Sequence, residues 1–311
     1  MPADLAPNPE SNVVEVLDRA GTGLPFSKGL MATSVLATGL RTEQAYAVAA
    51  EIQQRLIARR ARIIDADELA ALAIHTIEDL AGFAAAERYR SWRRAKRTGR
   101  AVIIALSGAP GVGKSTLATR LAVRLGITRV VTTDTIREVL RSIIPRTVLP
   151  ELHISTYETT ETHPGDPPLG AFHRQSRAVS AASLPVAVRL ASEHTSAIIE
   201  GVHLMPGFLR QALADHPDAP IVVEMTVILR SIETHRAHLI RRTHHEPTRD
   251  GQRHLRHLER IRELQELLIE QAKADDVPVY DIAQSHDLTQ RIVDEVVARV
   301  EVPDPLIRSA P

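Results

Sequence analysis

Gly108-Ala109-Pro110-Gly111-Val112-Gly113-Lys114-Ser115 reads as G-x-x-x-x-G-K-S, and its flanks give the motif a structural setting. Residues 101–106 ahead of it form an unbroken apolar run, the pattern of a strand buried on both faces of a parallel sheet. Residues 116–125 behind it carry helical spacing and stop at Gly126. Strand, glycine-rich turn and helix together predict a phosphate cradle. The glycines let the turn close tightly enough for main-chain N–H groups to converge on an anion, and the positive end of the new helix adds to the attraction. On this reading Gly108, Ala109, Gly111, Val112, Gly113, Lys114, Ser115 and Thr116 hold a nucleoside triphosphate. Lys114 reaches its β- and γ-phosphates, and the Ser115 hydroxyl ligates Mg²⁺.

Composition narrows the remaining choices. With 38 Lys and Arg against 38 Asp and Glu in 311 residues, formal net charge is zero, so bulk electrostatics favour neither nucleic acid nor an anionic membrane. The absence of cysteine removes disulfides, thiolate zinc sites and cysteine nucleophiles together. No apolar run approaches the roughly 18 residues of a membrane span. Residues 1–12 lack the basic-then-apolar layout of a signal peptide. A cytoplasmic protein without a membrane partner is the expectation. Lysine occurs only at Lys28, Lys96, Lys114 and Lys273, which sets the lysine of the phosphate loop apart.

Four regions follow from patterning: a disordered N-terminus over 1–12, a small, mostly helical domain over 13–98, an α/β domain over 99–303, and a tail over 304–311. In the first domain a strand is expected at 13–17, a turn at 20–23, and helices over 27–39, 42–59, 65–80 and 82–97. Asp65 with Glu68 three residues on has the spacing of a capping box. The fourth helix turns basic at Arg88, Arg90, Arg93, Arg94, Lys96, Arg97 and Arg100, as either a solvated linker or an edge that attracts a phosphorylated ligand. Thr98-Gly99 marks the boundary. Beyond it, apolar runs at 101–106, 129–133, 197–201, 221–229 and 277–281 alternate with helical stretches, which predicts a doubly wound, five-stranded parallel sheet. The Pro- and His-rich stretch 160–169 reads as a loop.

Ligands of such sheets bind beyond the carboxyl ends of the strands, so the residues just past each run carry the chemistry. Asp134 follows the second strand. It can hold an acceptor hydroxyl and take its proton, hold water on Mg²⁺, or cap the next helix. Arg137, one turn on, can meet a substrate phosphate or pair with Glu138 or Glu151. Glu200 closes the third strand, where an acid organises magnesium, and His203 follows as a substrate contact or a packed histidine. After the fourth strand Arg236, Arg241 and Arg242, then His244, His245, Arg249 and Arg253, read as a basic lid over the triphosphate or as an exposed helix. The histidines show no paired spacing with carboxylates, and no zinc site is predicted.

Taken together, these pieces resemble the archaeal 2-phosphoglycerate kinase family over nearly the whole chain. The resemblance runs through Pro25-Phe26-Ser27-Lys28-Gly29-Leu30, the phosphate loop, Thr133-Asp134-Thr135-Ile136-Arg137-Glu138 and Pro150-Glu151-Leu152-His153-Ile154-Ser155-Thr156-Tyr157-Glu158. It continues in Ile199-Glu200-Gly201-Val202-His203-Leu204-Met205-Pro206-Gly207, Arg260-Ile261-Arg262-Glu263-Leu264-Gln265 and Val277-Pro278-Val279. It implies a P-loop kinase that uses ATP to phosphorylate 2-phosphoglycerate to 2,3-bisphosphoglycerate, with Ser155, Thr156 and Tyr157 near the substrate. The first hundred residues resemble the ATP-cone domain. Where that module carries basic residues before an Asp-Gly turn, this chain has Val14-Glu15-Val16-Leu17-Asp18-Arg19, which points to a structural or degenerate regulatory version.

In this reading Lys114, Mg²⁺ and the lid arginines Arg236, Arg241 and Arg242 stabilise the transferring phosphoryl group, while Asp134 positions or deprotonates the acceptor. Arg137, Arg174 and Arg177 are the candidate cations for a small phosphorylated acid. A kinase of another polyol phosphate, such as an inositol phosphate, is the alternative enzyme, and one acting on RNA or a sugar nucleotide a further one. A nucleotide-responsive regulator using its basic segment at 88–100 is the alternative of another class. Neutral charge argues against nucleic acid as a partner. Assembly into a homo-oligomer is left open.

Overall fold

The computed structural model describes residues 14–18, 21–97, 99–158, 165, 167, 169–216, 219–245, 251–284 and 288–301, the side chains of 95, 96, 242–245, 251, 252 and 301 excepted. The expected disordered start, the tail at 304–311, most of the loop at 160–169 and Arg249 lie outside the described residues. So do the side chains of Arg242, His244 and His245. The chain divides into two compact units between Arg94 and Ala95.

In the first unit, β1 (Glu15–Leu17), β2 (Gly23–Pro25), α1 (Lys28–Val35), α2 (Thr42–Ala58), β3 (Ile63–Asp65), α3 (Ala66–Ala81) and most of α4 (Phe83–Arg97) surround one apolar core. That core is built from Val35, Val48, Ile52, Leu56, Ile77 and Tyr89, among others. The patterning anticipated the helices and β1 but not β2 or β3, which lie on either side of β1 in the order β2-β1-β3. Three residues are too few to display a period of two, so neither strand was visible locally. Asp65 caps α3 as expected, its carboxylate accepting from the N–H groups of Asp67 and Glu68 at 2.8 and 2.7 Å. The basic stretch is partly used inside this unit. Arg88 donates to the Thr38 carbonyl, Arg90 pairs with Glu78 and Glu87, and Arg93 donates to the Ala66 carbonyl.

The second unit is α/β. Its elements are β4 (Val102–Ser107), α5 (Lys114–Leu125), β5 (Arg129–Thr132), α6 (Thr133–Ile143), α7 (Gly170–Ser192), β6 (Ala197–Gly201), α8 (Phe208–Leu213), β7 (Ile221–Ile228), α9 (Ile232–His245), α10 (Gly251–Arg256), α11 (Leu258–Ala274), β8 (Val279–Asp281) and α12 (Leu288–Glu301). The sheet is five-stranded and all-parallel, ordered β5-β6-β4-β7-β8. Every residue of β4 and β6 is buried, as their unbroken apolar runs require, whereas β5 at the edge exposes Arg129 and Val130. Register aligns Thr132, Glu200 and Leu106 side by side across β5, β6 and β4. Three strand ends therefore open at the same level, and the residues that follow them converge there.

Candidate active site

The phosphate loop links β4 to α5, and α5 begins at Lys114 itself. First-turn N–H groups of a helix have no intrahelical acceptor, which makes the start of α5 a favourable place for an anion. Ala109 and Val112 are fully buried beneath the turn and lie outside the cavity lining. Gly111 holds φ +81°, and a Cβ there would come 2.3 Å from the Leu239 side chain. Leu239 and His235, four residues apart on α9, pack that helix onto the loop, with His235 Nε2–H donating to the Pro110 carbonyl at 2.8 Å.

A cavity of about 650 Å³ lies against this loop. Lys114 and Ser115 line it from α5, Asp134, Arg137 and Glu138 from α6, Ser155, Thr156 and Tyr157 from the segment before α7, Glu200 from β6, and Arg253 from α10. Lys114 Nζ donates to the Ala109 carbonyl at 2.9 Å. Ser115 Oγ donates to Glu200 Oε1 at 2.7 Å, which puts an alcohol and a buried carboxylate together at the start of α5. Oxygen donors of this kind suit a hard divalent cation.

Around Asp134 the structure removes one of the roles that the sequence left open, the helix cap. The cap of α6 is Thr132, whose hydroxyl accepts from the Thr135 N–H at 3.1 Å, and Asp134 is not used for it. Its carboxylate is 59% exposed and faces the cavity. Arg137 resolves in the same way. Glu138 pairs with Arg141 and Glu151 with Arg174, while Arg137 Nη1 donates to the Ile154 carbonyl at 2.9 Å. The side chain lines the cavity, and its Nε–H is buried with no partner within the protein.

Other expected contacts fall elsewhere. Arg174 is not a cavity cation: it neutralises Glu151, a carboxylate with no exposure, which could not remain charged without it. Arg177 is exposed and outside the cavity lining. Arg236 and Arg241 are exposed on α9 and likewise outside the lining. Because His235 and Leu239 turn one face of α9 onto the phosphate loop, residues one or two positions further on are rotated about 100–200° away. His203 is a packed histidine rather than a surface contact. It has no exposure, and Thr133, Thr156 and Gln175 surround its ring.

In place of the α9 arginines the cavity receives Arg253, which forms a two-pronged ion pair with Glu158. Burial pushes the Glu158 carboxyl upward, but Arg253, Ser155 and His257 pull it down further, to below the ordinary carboxylate range. Tyr157 stacks against His254 and His257 with ring centroids 4.7 and 5.5 Å apart. Arg253 had no distinguishing mark in the sequence beyond membership of an Arg- and His-rich stretch. Among the described residues no group of three or more His, Cys, Asp or Glu side chains is arranged to hold a metal ion.

This geometry has relatives. A 2-phosphoglycerate kinase from Pyrococcus furiosus is 35% identical over 292 residues, covering 92% of this chain and 94% of its own. The chain belongs to the 2-phosphoglycerate kinase family. Family members from Pyrococcus horikoshii, 34% identical over 291 residues, and Methanopyrus kandleri, 31% identical over 285, span 94% and 85% of their own lengths. No protein-family model matches the chain. Among solved structures, a shikimate kinase from Acinetobacter baumannii covers 66% of this chain and 97% of its own, at 17% identity and a TM-score of 0.39, too loose a likeness to bear on the family's chemistry.

Proposed function

We propose that this chain transfers the γ-phosphoryl group of ATP to the free hydroxyl of 2-phosphoglycerate, giving ADP and 2,3-bisphosphoglycerate. One observation carries the reading. A single cavity brings the phosphate-loop residues Lys114 and Ser115 together with Asp134 and Arg137, so donor and acceptor sites share one space. The names of the archaeal relatives support the choice of acceptor.

In this mechanism the loop amides and Lys114 hold the β- and γ-phosphates. The acceptor oxygen attacks the γ-phosphorus, the bond to the bridging β–γ oxygen breaks, and the hydroxyl proton passes to Asp134. Arg137 takes the carboxylate or phosphate of the acceptor, with Ser155 and Tyr157 beside it. Ser115 and Glu200 fit Mg²⁺, as an alcohol and a carboxylate 2.7 Å apart. When bound there, the ion supplies neutralisation of phosphate charge. Arg236 and Arg241 have no place in this scheme, and Arg253 is the cation from that region that has one. The first unit is read as a cone-like module with a structural or degenerate regulatory role. Among the described residues no helix is long and apolar enough to cross a membrane.

The test is incubation of purified protein with ATP, Mg²⁺ and a panel of phosphoglycerates and inositol phosphates. ADP release with a new bisphosphate in the 2-phosphoglycerate reaction supports the assignment. A bisphosphate formed only from an inositol phosphate, or hydrolysis indifferent to every acceptor, overturns it.

A further inference from the structure

His203 is completely buried beneath the cavity, and its surroundings determine which ring nitrogen carries the proton. Gln175 Nε2 donates to the carbonyls of Glu151 and Ile154, which can only accept. That fixes the amide with its Oε1 toward His203 Nε2, 3.1 Å away. An amide oxygen also only accepts, so Nε2 bears the hydrogen, with Thr156 Oγ1 at 3.2 Å beside the same nitrogen. A second proton is disfavoured. Burial pushes the imidazole down to about 3, against an upward pull from Asp134 and with Arg137 and Lys114 adding to the fall. Nδ1 is therefore bare and accepts from the Thr133 hydroxyl at 3.1 Å. The residue is itself anchored, since its main-chain carbonyl accepts from Ser180 Oγ.

The two ring nitrogens reach different halves of the site. Thr133 immediately precedes Asp134 in the first turn of α6, and Thr156 sits between Ser155 and Tyr157. We propose that His203 is a positioning residue whose Nδ1 braces the segment bearing Asp134 and whose Nε2–H braces the acceptor segment around Thr156, holding the two in register across the cavity. The assignment of those segments to base and acceptor rests on the kinase reading above; the two-sided brace does not. A bare Nδ1 also leaves Asp134, whose Oδ1 is 3.9 Å from it, out of an ion pair that would compete with the substrate hydroxyl.

The test uses the full-length chain with two half-replacements. In His203→Asn the side-chain oxygen takes the place of Nδ1 and the Nε2–H is lost. In His203→Gln the terminal amide nitrogen takes the place of Nε2 and the Nδ1 acceptor is lost. His203→Asn is expected to speed amide exchange in 154–158 and raise the KM for 2-phosphoglycerate about tenfold, whereas His203→Gln is expected to speed exchange in 132–137 and lower kcat about tenfold, with that KM nearly unchanged. Both keep their affinity for ATP. Identical exchange patterns in the two variants, or a uniform loss of protection that takes ATP binding with it, overturn the proposal and leave His203 as packing alone. If either variant fails to fold, Thr156→Val and Thr133→Val remove the same two contacts one at a time and must reproduce the split. Wild-type protein inert toward 2-phosphoglycerate overturns the kinase reading, while the exchange patterns still decide for or against the brace.

Discussion

The hydroxyl of Ser115 donates to the carboxylate of Glu200 at 2.7 Å, tying the start of α5 to the end of β6 across 85 residues of sequence. In the proposed mechanism this pair holds Mg²⁺. Glu200→Gln keeps the shape and an acceptor but removes the charge. We expect a drop in kcat of about a hundredfold and a higher Mg²⁺ requirement, read by titrating Mg²⁺ at saturating ATP. An unchanged Mg²⁺ titration removes Glu200 from the metal site.

Lys114 is buried and packs its ammonium on the loop carbonyl of Ala109. Replacing it with Ala removes the one charged side chain of the loop, which in the proposed mechanism holds the transferring group. Turnover should fall about a hundred- to a thousandfold, with a far smaller effect on the melting temperature. Parallel measurement of kcat and thermal unfolding separates the two, and intact catalysis would exclude the loop from the mechanism.

Asp134 is released from capping duty by Thr132. Asp134→Asn retains ATP binding in this scheme and loses phosphoryl transfer by about a hundredfold or more, since an amide cannot take the proton. Equilibrium nucleotide binding and bisphosphate formation, measured on the same preparation, check it. Weakened nucleotide binding, with transfer intact in the complex that still forms, would move Asp134 to the metal.

Gly201 ends β6 where Thr133 crosses it: a Cβ would lie 1.7 Å from Thr133 Oγ1. Gly201→Ala must therefore push Thr133 off His203 Nδ1. Overpacking of this sort costs about 1–3 kcal/mol. We expect a lower denaturant midpoint together with a lower kcat, and a variant indistinguishable from wild type in both would contradict the close approach.

Acid sensitivity follows from His203. Its folded value of about 3 lies below the ordinary 6.5 of the unfolded chain. Above pH 6.5 both states are neutral at this ring and it contributes no penalty. As pH falls below 6.5 the unfolded chain binds a proton that the folded chain refuses, so stability is lost progressively down to about pH 3, by at most about 1.4 kcal/mol per pH unit. Burial shifts His235 in the same direction. Urea unfolding between pH 7 and pH 5 should show a falling midpoint, shallower in His203→Gln. Equal slopes would place the acid sensitivity in other groups.

Legibility in the sequence varied with the range of the interaction. The central strands β4 and β6 were visible because a strand buried on both faces writes an unbroken apolar run into a few adjacent residues, while the half-exposed edge strands β5 and β8 were legible only through the alternation of apolar runs with helical stretches. The helices of the first unit were visible through their period and caps, whereas β2 and β3 were too short to write anything. The arginines divide in the same manner. Arg137, Arg174 and Arg236 were indistinguishable as cations, and a neighbour distant in the chain separated them: the Ile154 carbonyl for Arg137, Glu151 for Arg174, and the docking of His235 on Pro110 for the helix that carries Arg236.

Local chain chemistry was thus sufficient for the phosphate cradle, the parallel sheet and the family resemblance, because glycine spacing and apolar runs act over neighbouring residues. Tertiary packing alone decided that Arg253 and not Arg236 or Arg241 faces the cavity, and that His203 is a neutral brace. Those outcomes depend on which groups meet across separations of 28 to 125 residues, and a side chain's direction and charge state follow from its partners and its burial, which no periodicity encodes.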